Sequence, residues 1–548
     1  MIKRVYFGIA LFDFTIYLSM ISIWSGIQGM TGIAWLQYLL LGWITLNLIF
    51  VILASFVKIK PWAIHVSGGF SILFLIVLGY MFYLAIGSSR YIFRSFFEIS
   101  MYLFASYAAY AFLFRFPTCH LAKNKTYKRI LLGVVLALIV VVGFDLEFHQ
   151  LTSGPVVYAV EDTYQIVWTT STNAIARVHV GDTVYVDGFA GSERSDTTVH
   201  KIIVPMSELD FAQSYTISST QVLYRGPYSG ILGSTIEKTY DFFPVDLSDG
   251  LNYYTVSDIH EHPKAAIEAA KYYGDTLDFL VMAGDIVSHP ERAEDAELIV
   301  QIAHAITCGS RPVVYARGNH EVKSDYADQL HRYVGSLNET FYYTFQLSGI
   351  FGIVLDLGED HEDDWWEYYG TAHFEAYRED QTAFLNEVLA DSAFDEANIE
   401  YRMAICHIPV TLVNQAYLEE TQLAWTALLN QMDLDILVSG HKHQLLALTT
   451  DIAPNIVFEY HDDYALGVEA GYRTNANFVN FVAARRSAEQ SLAVKESEFG
   501  RAYTGLAVSV DFNLQTMIVR FTNQSLAEVS TLHPTTGEET TEYSFDLD

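Results

Sequence analysis

"LVSGHKHQ", residues 437–444, sets two histidines one residue apart behind a glycine, at the end of an apolar run containing Leu434, Ile436, Leu437 and Val438. On an extended chain alternate side chains share a side, so His441 and His443 can aim at a common point while Lys442 faces away. Two converging imidazoles suit metal ligation. Taken alone, the pair fits a structural or surface role better than a metal site, and the rest of the chain has to decide.

Other apolar stretches end in the same way. "YYTVSDIH" (253–260) delivers Asp258 and His260, and "FLVMAGDIVSH" (279–289) delivers Asp285 behind Gly284, where a missing side chain lets the backbone turn sharply. "VVYARGNHE" (313–321) delivers Asn319 and His320, and "MAICHIP" (403–409) delivers His407. Five strand ends that each carry a metal-ligand type are not the pattern of scattered surface polar residues. Helical spacing in "PKAAIEAAKYY" and "EDAELIVQIAHAI", with further strands at "IFGIVLDL" and a closing hairpin "GLAVSVDF" and "QTMIVRFT", completes an α/β reading from Leu251 onward. Ligands of such layered folds sit at the carboxyl ends of strands. The acidic-aromatic run "GEDHEDDWWEYY" (358–369) reads as a solvated loop.

Upstream, residues 154–243 alternate in short stretches such as "YQIVWTT", "ARVHVG", "TVHKIIV" and "SYTISST", the signals of a small β-sandwich. Before that the composition changes. The chain has 548 residues, 51% apolar, yet 64 acidic against 32 basic residues, and its mean hydropathy is +0.20. Up to residue 146 there are eleven basic and three acidic residues, which leaves 21 basic and 61 acidic beyond. Apolar windows at Val5–Trp24, Ile33–Val57, Trp62–Ile86, Ser95–Phe114 and Ile130–Phe144 are read as five membrane spans. The fifth, of about 15 residues, is short of the usual range. Lys3, Arg4, Lys58, Lys60, Arg115, Lys123, Lys125, Lys128 and Arg129 fall in alternate loops, which orients the amino terminus inward. Five spans put the remainder outside the cytoplasm, at the plasma membrane; four would put it inside. The acidic excess argues against long nucleic acid as a partner. Cys119, Cys308 and Cys406 are too few to fix a compartment.

The ordered set Asp-x-His, Gly-Asp, Gly-Asn-His-Glu, a lone His and Gly-His-x-His resembles the calcineurin-like metallophosphoesterase family, over about Leu251 to Thr522. With a preceding β-module, in which Leu209 and Tyr215 resemble the Leu-to-Tyr spacing of fibronectin type III modules, the order is similar to that of purple acid phosphatases. Ser288 stands where those enzymes carry a tyrosine, and they lack the counterpart of His260, so no tyrosinate ligand is expected. Together with the apolar windows, the resemblance gives a multi-domain architecture: a transmembrane helical bundle (1–148) read from composition, a fibronectin III-like β-sandwich (154–245), an α/β metallophosphoesterase β-sandwich flanked by helices (251–525) and an acidic tail (526–548).

It also implies two divalent or trivalent metal ions, Mn, Zn or Fe. Asp258, His260, Asp285 and His443 hold one, and Asp285, Asn319, His407 and His441 the other. Asp285 bridges them and His320 serves catalysis at the leaving oxygen. Arg317 reaches either phosphate or solvent, and Glu321 either orients His320 or lies at the surface. The implied activity is a membrane-anchored phosphoesterase that hydrolyses phosphate monoesters or diesters by metal-bound hydroxide attack, with the bilayer and a phosphoester substrate as partners. The alternative is a non-catalytic membrane sensor or assembly protein that uses the same domain to bind a ligand.

Overall fold

The computed structural model describes residues 149–547 except 226–229, 261–262, 463–466 and 484–502, all within the unit Glu147–Asp548. Strands β1 (Leu151–Val160), β2 (Thr163–Thr170), β3 (Ala174–Val180), β4 (Thr183–Val186) and β5 (Val199–Pro205) come first, then helix α1 (Met206–Ala212) and strands β6 (Ser214–Arg225) and β7 (Gly230–Asp241). The layered part follows with β8 (Leu251–Val256), α2 (Pro263–Ala269), β9 (Phe279–Ala283), α3 (Ala293–Thr307), β10 (Pro312–Ala316), β11 (Tyr343–Leu347) and β12 (Ile350–Leu355). It continues through α4 (Phe374–Asp391), β13 (Tyr401–Cys406), α5 (Ala416–Leu429), β14 (Ile436–Ser439), β15 (Leu446–Leu448), β16 (Val479–Val482), β17 (Thr504–Asp511) and β18 (Thr516–Asn523).

Two sheets face each other. One runs β18-β17-β8-β9-β10-β1-β2-β5 and the other β11-β12-β13-β14-β16-β15. β8, β9 and β10 are parallel, as are β12, β13, β14 and β16. Such strands are covered on both faces, which is why "FLVMA" of β9 is buried at every position. Tyr253, Val281, Phe345, Tyr401, Ile436 and Phe481 share the core between the sheets. Ala266, Ile299 and Ala303 of α2 and α3 cover the outer face of the first sheet. Leu385 and Trp425 of α4 and α5 cover that of the second. The layers are therefore helix, sheet, sheet, helix.

The expected fold class needs correction in two places. Among the described residues no helix is long and apolar enough to cross a membrane. α3, α4 and α5 each bury one stripe against a sheet and turn charged residues such as Glu294, Glu379 and Glu420 outward, the pattern of a covering helix. The five expected spans lie in residues 1–148, outside the described residues; the expected transmembrane bundle and plasma-membrane localisation have no support among the described residues. Second, the upstream strands do not form a self-contained sandwich. β3, β4, β6 and β7 make one sheet, which meets β2 where Trp168 Nε1 donates to Ser219 Oγ at 2.9 Å, but β1, the strand paired with β2, also pairs in parallel with β10, Val157 opposite Pro312 and Tyr158 opposite Val313. The Tyr215 hydroxyl donates to the Gly309 carbonyl oxygen at 2.7 Å. One sheet thus serves both parts, because β1 presents an unpaired edge that the apolar β10 can extend.

Candidate metal centre

Every sequence-predicted site residue lies just beyond the carboxyl end of a parallel strand: Asp258 and His260 after β8, Asp285 after β9, Asn319 and His320 after β10, His407 after β13, and His441 and His443 after β14. The two sheets bring these ends to one place. Asp258, His260, Asp285 and His443 are all buried, and each offers a ligand atom within 4.8 Å of the others. His407 Nε2 lies 3.2 Å from Asp285 Oδ2, and His320 Nε2 lies 3.9 Å from the same oxygen. His441 Nδ1 lies 3.1 Å from Asn319 Oδ1. Asp285 therefore stands between two halves, one around Asp258 and the other around Asn319 and His441.

The side chains converge for a reason other than strand alternation. β14 ends at Ser439, and His441 and His443 lie beyond it with φ of 72° and 49°; Asp258, His260 and Asp285 have φ of 50°, 51° and 51°. Aspartate tolerates this left-handed region better than most residues, histidine also, but each such residue is a local strain of about 1–3 kcal/mol that the surrounding packing must hold. Two glycines make room. A Cβ at Gly440 would stand 1.9 Å from Ser257 Oγ and 2.6 Å from Asp258 Oδ2, and one at Gly284 would stand 2.6 Å from His407 Nδ1. The histidines also separate: His441 turns to Asn319, whereas His443 Nε2 lies 3.5 Å from Asp258 Oδ1. Lys442 turns toward Glu469.

The electrostatics favour a cation. His407 Nδ1 is 2.7 Å from the Ala283 carbonyl oxygen and so donates there, which leaves Nε2 facing a carboxylate oxygen. Burial opposes charge on this ring, but Asp285 lifts its pKa to about 10, so the pocket calls for positive charge, carried by a proton or by a metal ion. Asp285 stays ionised: burial would raise it, but His407, His320 and His260 hold it well below the usual carboxylate range. Burial lowers His441 to about 4, with help from Lys442, and His443 to about 3. Both are neutral imidazoles at neutral pH, with lone pairs available for a metal. Mixed carboxylate, imidazole and amide donors fit a borderline divalent ion.

Glu321 is neither a surface residue nor an aide to the His320 ring. It is fully buried and accepts from the backbone N–H groups of Gly318 (2.7 Å), Asp285 (3.1 Å), Ile286 (2.6 Å) and Val287 (3.3 Å). It thereby ties the Gly-Asp loop to the Gly-Asn-His-Glu loop. The His320 N–H adds a bond to Asp285 Oδ1 at 2.9 Å. Arg317 does not reach for phosphate: it pairs with Asp356 at 2.7 Å and its guanidinium lies over Phe341 and Tyr377. Cys308 and Cys406 are free thiols.

Two acids at the site belong to the stretch 358–369, whose sequence reads as a solvated loop. Glu359 is only 1% exposed, with an oxygen 3.5 Å from Asn319 Nδ2. Asp360 Oδ2 is 3.3 Å from His441 Nε2, and although burial would raise its pKa, bonding to His441 and the charge of Lys442 hold it far below the usual range. The signal that could have found them is positional: "IFGIVLDL" is a buried strand like the others, and Glu359 and Asp360 follow its end as the candidate ligands follow theirs.

Residues 251–445 match the family described as calcineurin-like phosphoesterase. No curated protein matches the chain. Among solved structures, a purple acid phosphatase from yellow lupin (Lupinus luteus) seeds is similar over 72% of this chain and 75% of its own, at 11% identity and a TM-score of 0.41. PhoD is similar over 72% of this chain and 90% of its own, also at 11% identity and 0.41. Vps29 of Chaetomium thermophilum aligns over 54% of this chain and all (100%) of its own, at 9% identity and 0.23. The motifs, the family match and the buried Asp/His cluster agree: residues 251–445 are a calcineurin-like metallophosphoesterase domain, and the chain that carries it is a metal-dependent phosphoesterase.

Proposed function

We propose that the domain holds two metal ions and hydrolyses phosphate monoesters or diesters. Asp258, His260, Asp285 and His443 are the ligands on one side, and Asp285, Asn319, His407 and His441 those on the other. The observation that carries this reading is the position of Asp285, within the 4.8 Å cluster of the first set and 3.2 Å from His407 of the second. When bound, a pair of such ions supplies Lewis-acid neutralisation of the phosphoryl oxygens and an acidified water.

The remaining work falls to the chain. Asp285, held by the His320 N–H and by the loop that Glu321 ties down, keeps the two halves in register. His320 Nδ1 lies 2.9 Å from the Ser288 carbonyl oxygen, so Nδ1 donates there and Nε2 is the atom turned to the site. With its side chain 29% exposed, His320 is placed to meet substrate and to pass a proton from Nε2 to the departing alkoxide.

The test is hydrolysis of p-nitrophenyl phosphate and bis-p-nitrophenyl phosphate by the full chain with Mn²⁺ or Zn²⁺. We expect turnover that needs metal and is lost in Asp285→Asn. His320→Ala should slow alkyl esters more than p-nitrophenyl esters, since p-nitrophenolate leaves without a proton. A folded, metal-loaded protein that hydrolyses none of these overturns the reading.

A further inference from the structure

We propose that Glu359 and Asp360 are positioning residues for the Asn319/His441 half of the centre: together they fix the Asn319 amide and the His441 tautomer so that Asn319 Oδ1 and His441 Nδ1 turn their lone pairs to one cation. This rests on the two-ion reading above.

A carboxylate can only accept. The 3.5 Å contact between Asn319 and Glu359 Oε2 therefore takes the amide Nδ2, which turns Oδ1 the other way, toward His441. A neutral imidazole has one N–H to give. On one side of the His441 ring, Nε2 lies 3.3 Å from Asp360 Oδ2; on the other, Nδ1 lies 3.1 Å from Asn319 Oδ1. A hydrogen bond to an ionised acceptor is roughly twice as strong as one to a neutral amide oxygen, so the proton goes to Nε2 and Nδ1 keeps its lone pair. Two acceptors then face each other at 3.1 Å, an arrangement that a shared cation relieves. Carboxylates behind metal-binding imidazoles act in this way in general, orienting the ring and raising its basicity.

The two acids are held in place. The Arg378 guanidinium donates from Nη1 to the carbonyl oxygens of Leu357 at 2.9 Å and Glu359 at 3.3 Å. Gln415 Nε2 donates to Asp360 Oδ2 at 2.9 Å, and Lys323 Nζ lies 2.7 Å from Glu359 Oε1. The bonds to Asp360 and to the segment's carbonyls come from α4 and the start of α5, so the support of this half is built from the second sheet's side of the molecule.

The experiment uses the full chain and two readouts. In the metal-free protein, long-range proton–nitrogen correlation of the histidine rings, with His441 identified by His441→Gln, reports the tautomer. We expect Nε2–H in the wild type and in Asp360→Asn, whose amide oxygen still accepts, and a move to Nδ1–H in Asp360→Ala. In calorimetric titration with Mn²⁺, Asp360→Ala should lower one of two affinities about 10–100-fold and leave the other near wild type. A wild-type His441 protonated on Nδ1 overturns the proposal without any variant, as does an Asp360→Ala protein with both Mn²⁺ affinities unchanged. A wild type that binds a single Mn²⁺ instead overturns the two-ion reading, while the tautomer still judges the positioning.

Discussion

The two halves of the centre are made of similar donors but are supported differently. Around Asp258 the support comes from the motifs themselves: its chain neighbour Ser257 donates from Oγ to Asp258 Oδ2 at 2.6 Å, and the N–H of His441 in the Gly-His-x-His stretch donates to Asp258 Oδ1 at 3.0 Å. Around Asn319 and His441 it comes from Glu359 and Asp360, about forty residues beyond Asn319 in the chain and absent from every motif. A motif can orient ligands that lie beside it in the chain; a ligand whose free side faces another loop takes its orientation from whatever packs there.

The sharpest way to break the comparison is to remove what the halves share. Asp285→Asn should lower metal-dependent hydrolysis at least about 1000-fold, about 4 kcal/mol of transition-state stabilisation, and metal analysis should find both halves weakened. Next is the buried staple. Glu321→Ala leaves four backbone donors without their acceptor and should cost about 3 kcal/mol or more in urea unfolding; a loss below about 1 kcal/mol would mean that water replaces the carboxylate.

The halves then separate. Asp360→Ala should affect only the Asn319/His441 side, whereas Ser257→Ala should affect only the Asp258 side, by about 5-fold in Mn²⁺ affinity for one lost hydrogen bond. Crossed effects in a double-mutant cycle would show that the halves act as one unit.

Asp285, which the halves share, and its partner His407 are also open to a test in pH. In the metal-free protein Asp285 lifts His407 from 6.5 to about 10 against the pull of burial. The stabilisation from that extra proton is complete below the unfolded value and is lost as pH rises through the folded one. Thermal melting in chelator should therefore fall between pH 6.5 and about 10. Mn²⁺ takes the proton's place, so its binding should tighten over the same window and flatten the curve.

Much of this was legible in the sequence. Continuous short apolar runs such as "FLVMA" and "IFGIVL", bounded by turn residues, read as strands covered on both sides, and the ligand types at their ends pointed to the centre. The geometry was less legible. Alternation in an extended strand predicts that His441 and His443 share one target, yet both lie past the end of β14 in left-handed turns and serve different halves. The upstream strands carried a clear two-residue alternation, but alternation says which face is buried and not which neighbour an edge will take, so the pairing of β1 with β10 could not be read from it.

By itself, the sequence determined which donors exist and that they stand at strand ends, because both are properties of short stretches of chain. Only the tertiary structure decided that Glu321 is a buried tie between loops, that Arg317 belongs to Asp356, and that Glu359 and Asp360 stand behind Asn319 and His441. A carboxylate in "GEDHEDD" has the same local chemistry whether it faces water or an imidazole. Which of the two it meets is set by how the two sheets bring distant strand ends together, and no short stretch of sequence contains that information.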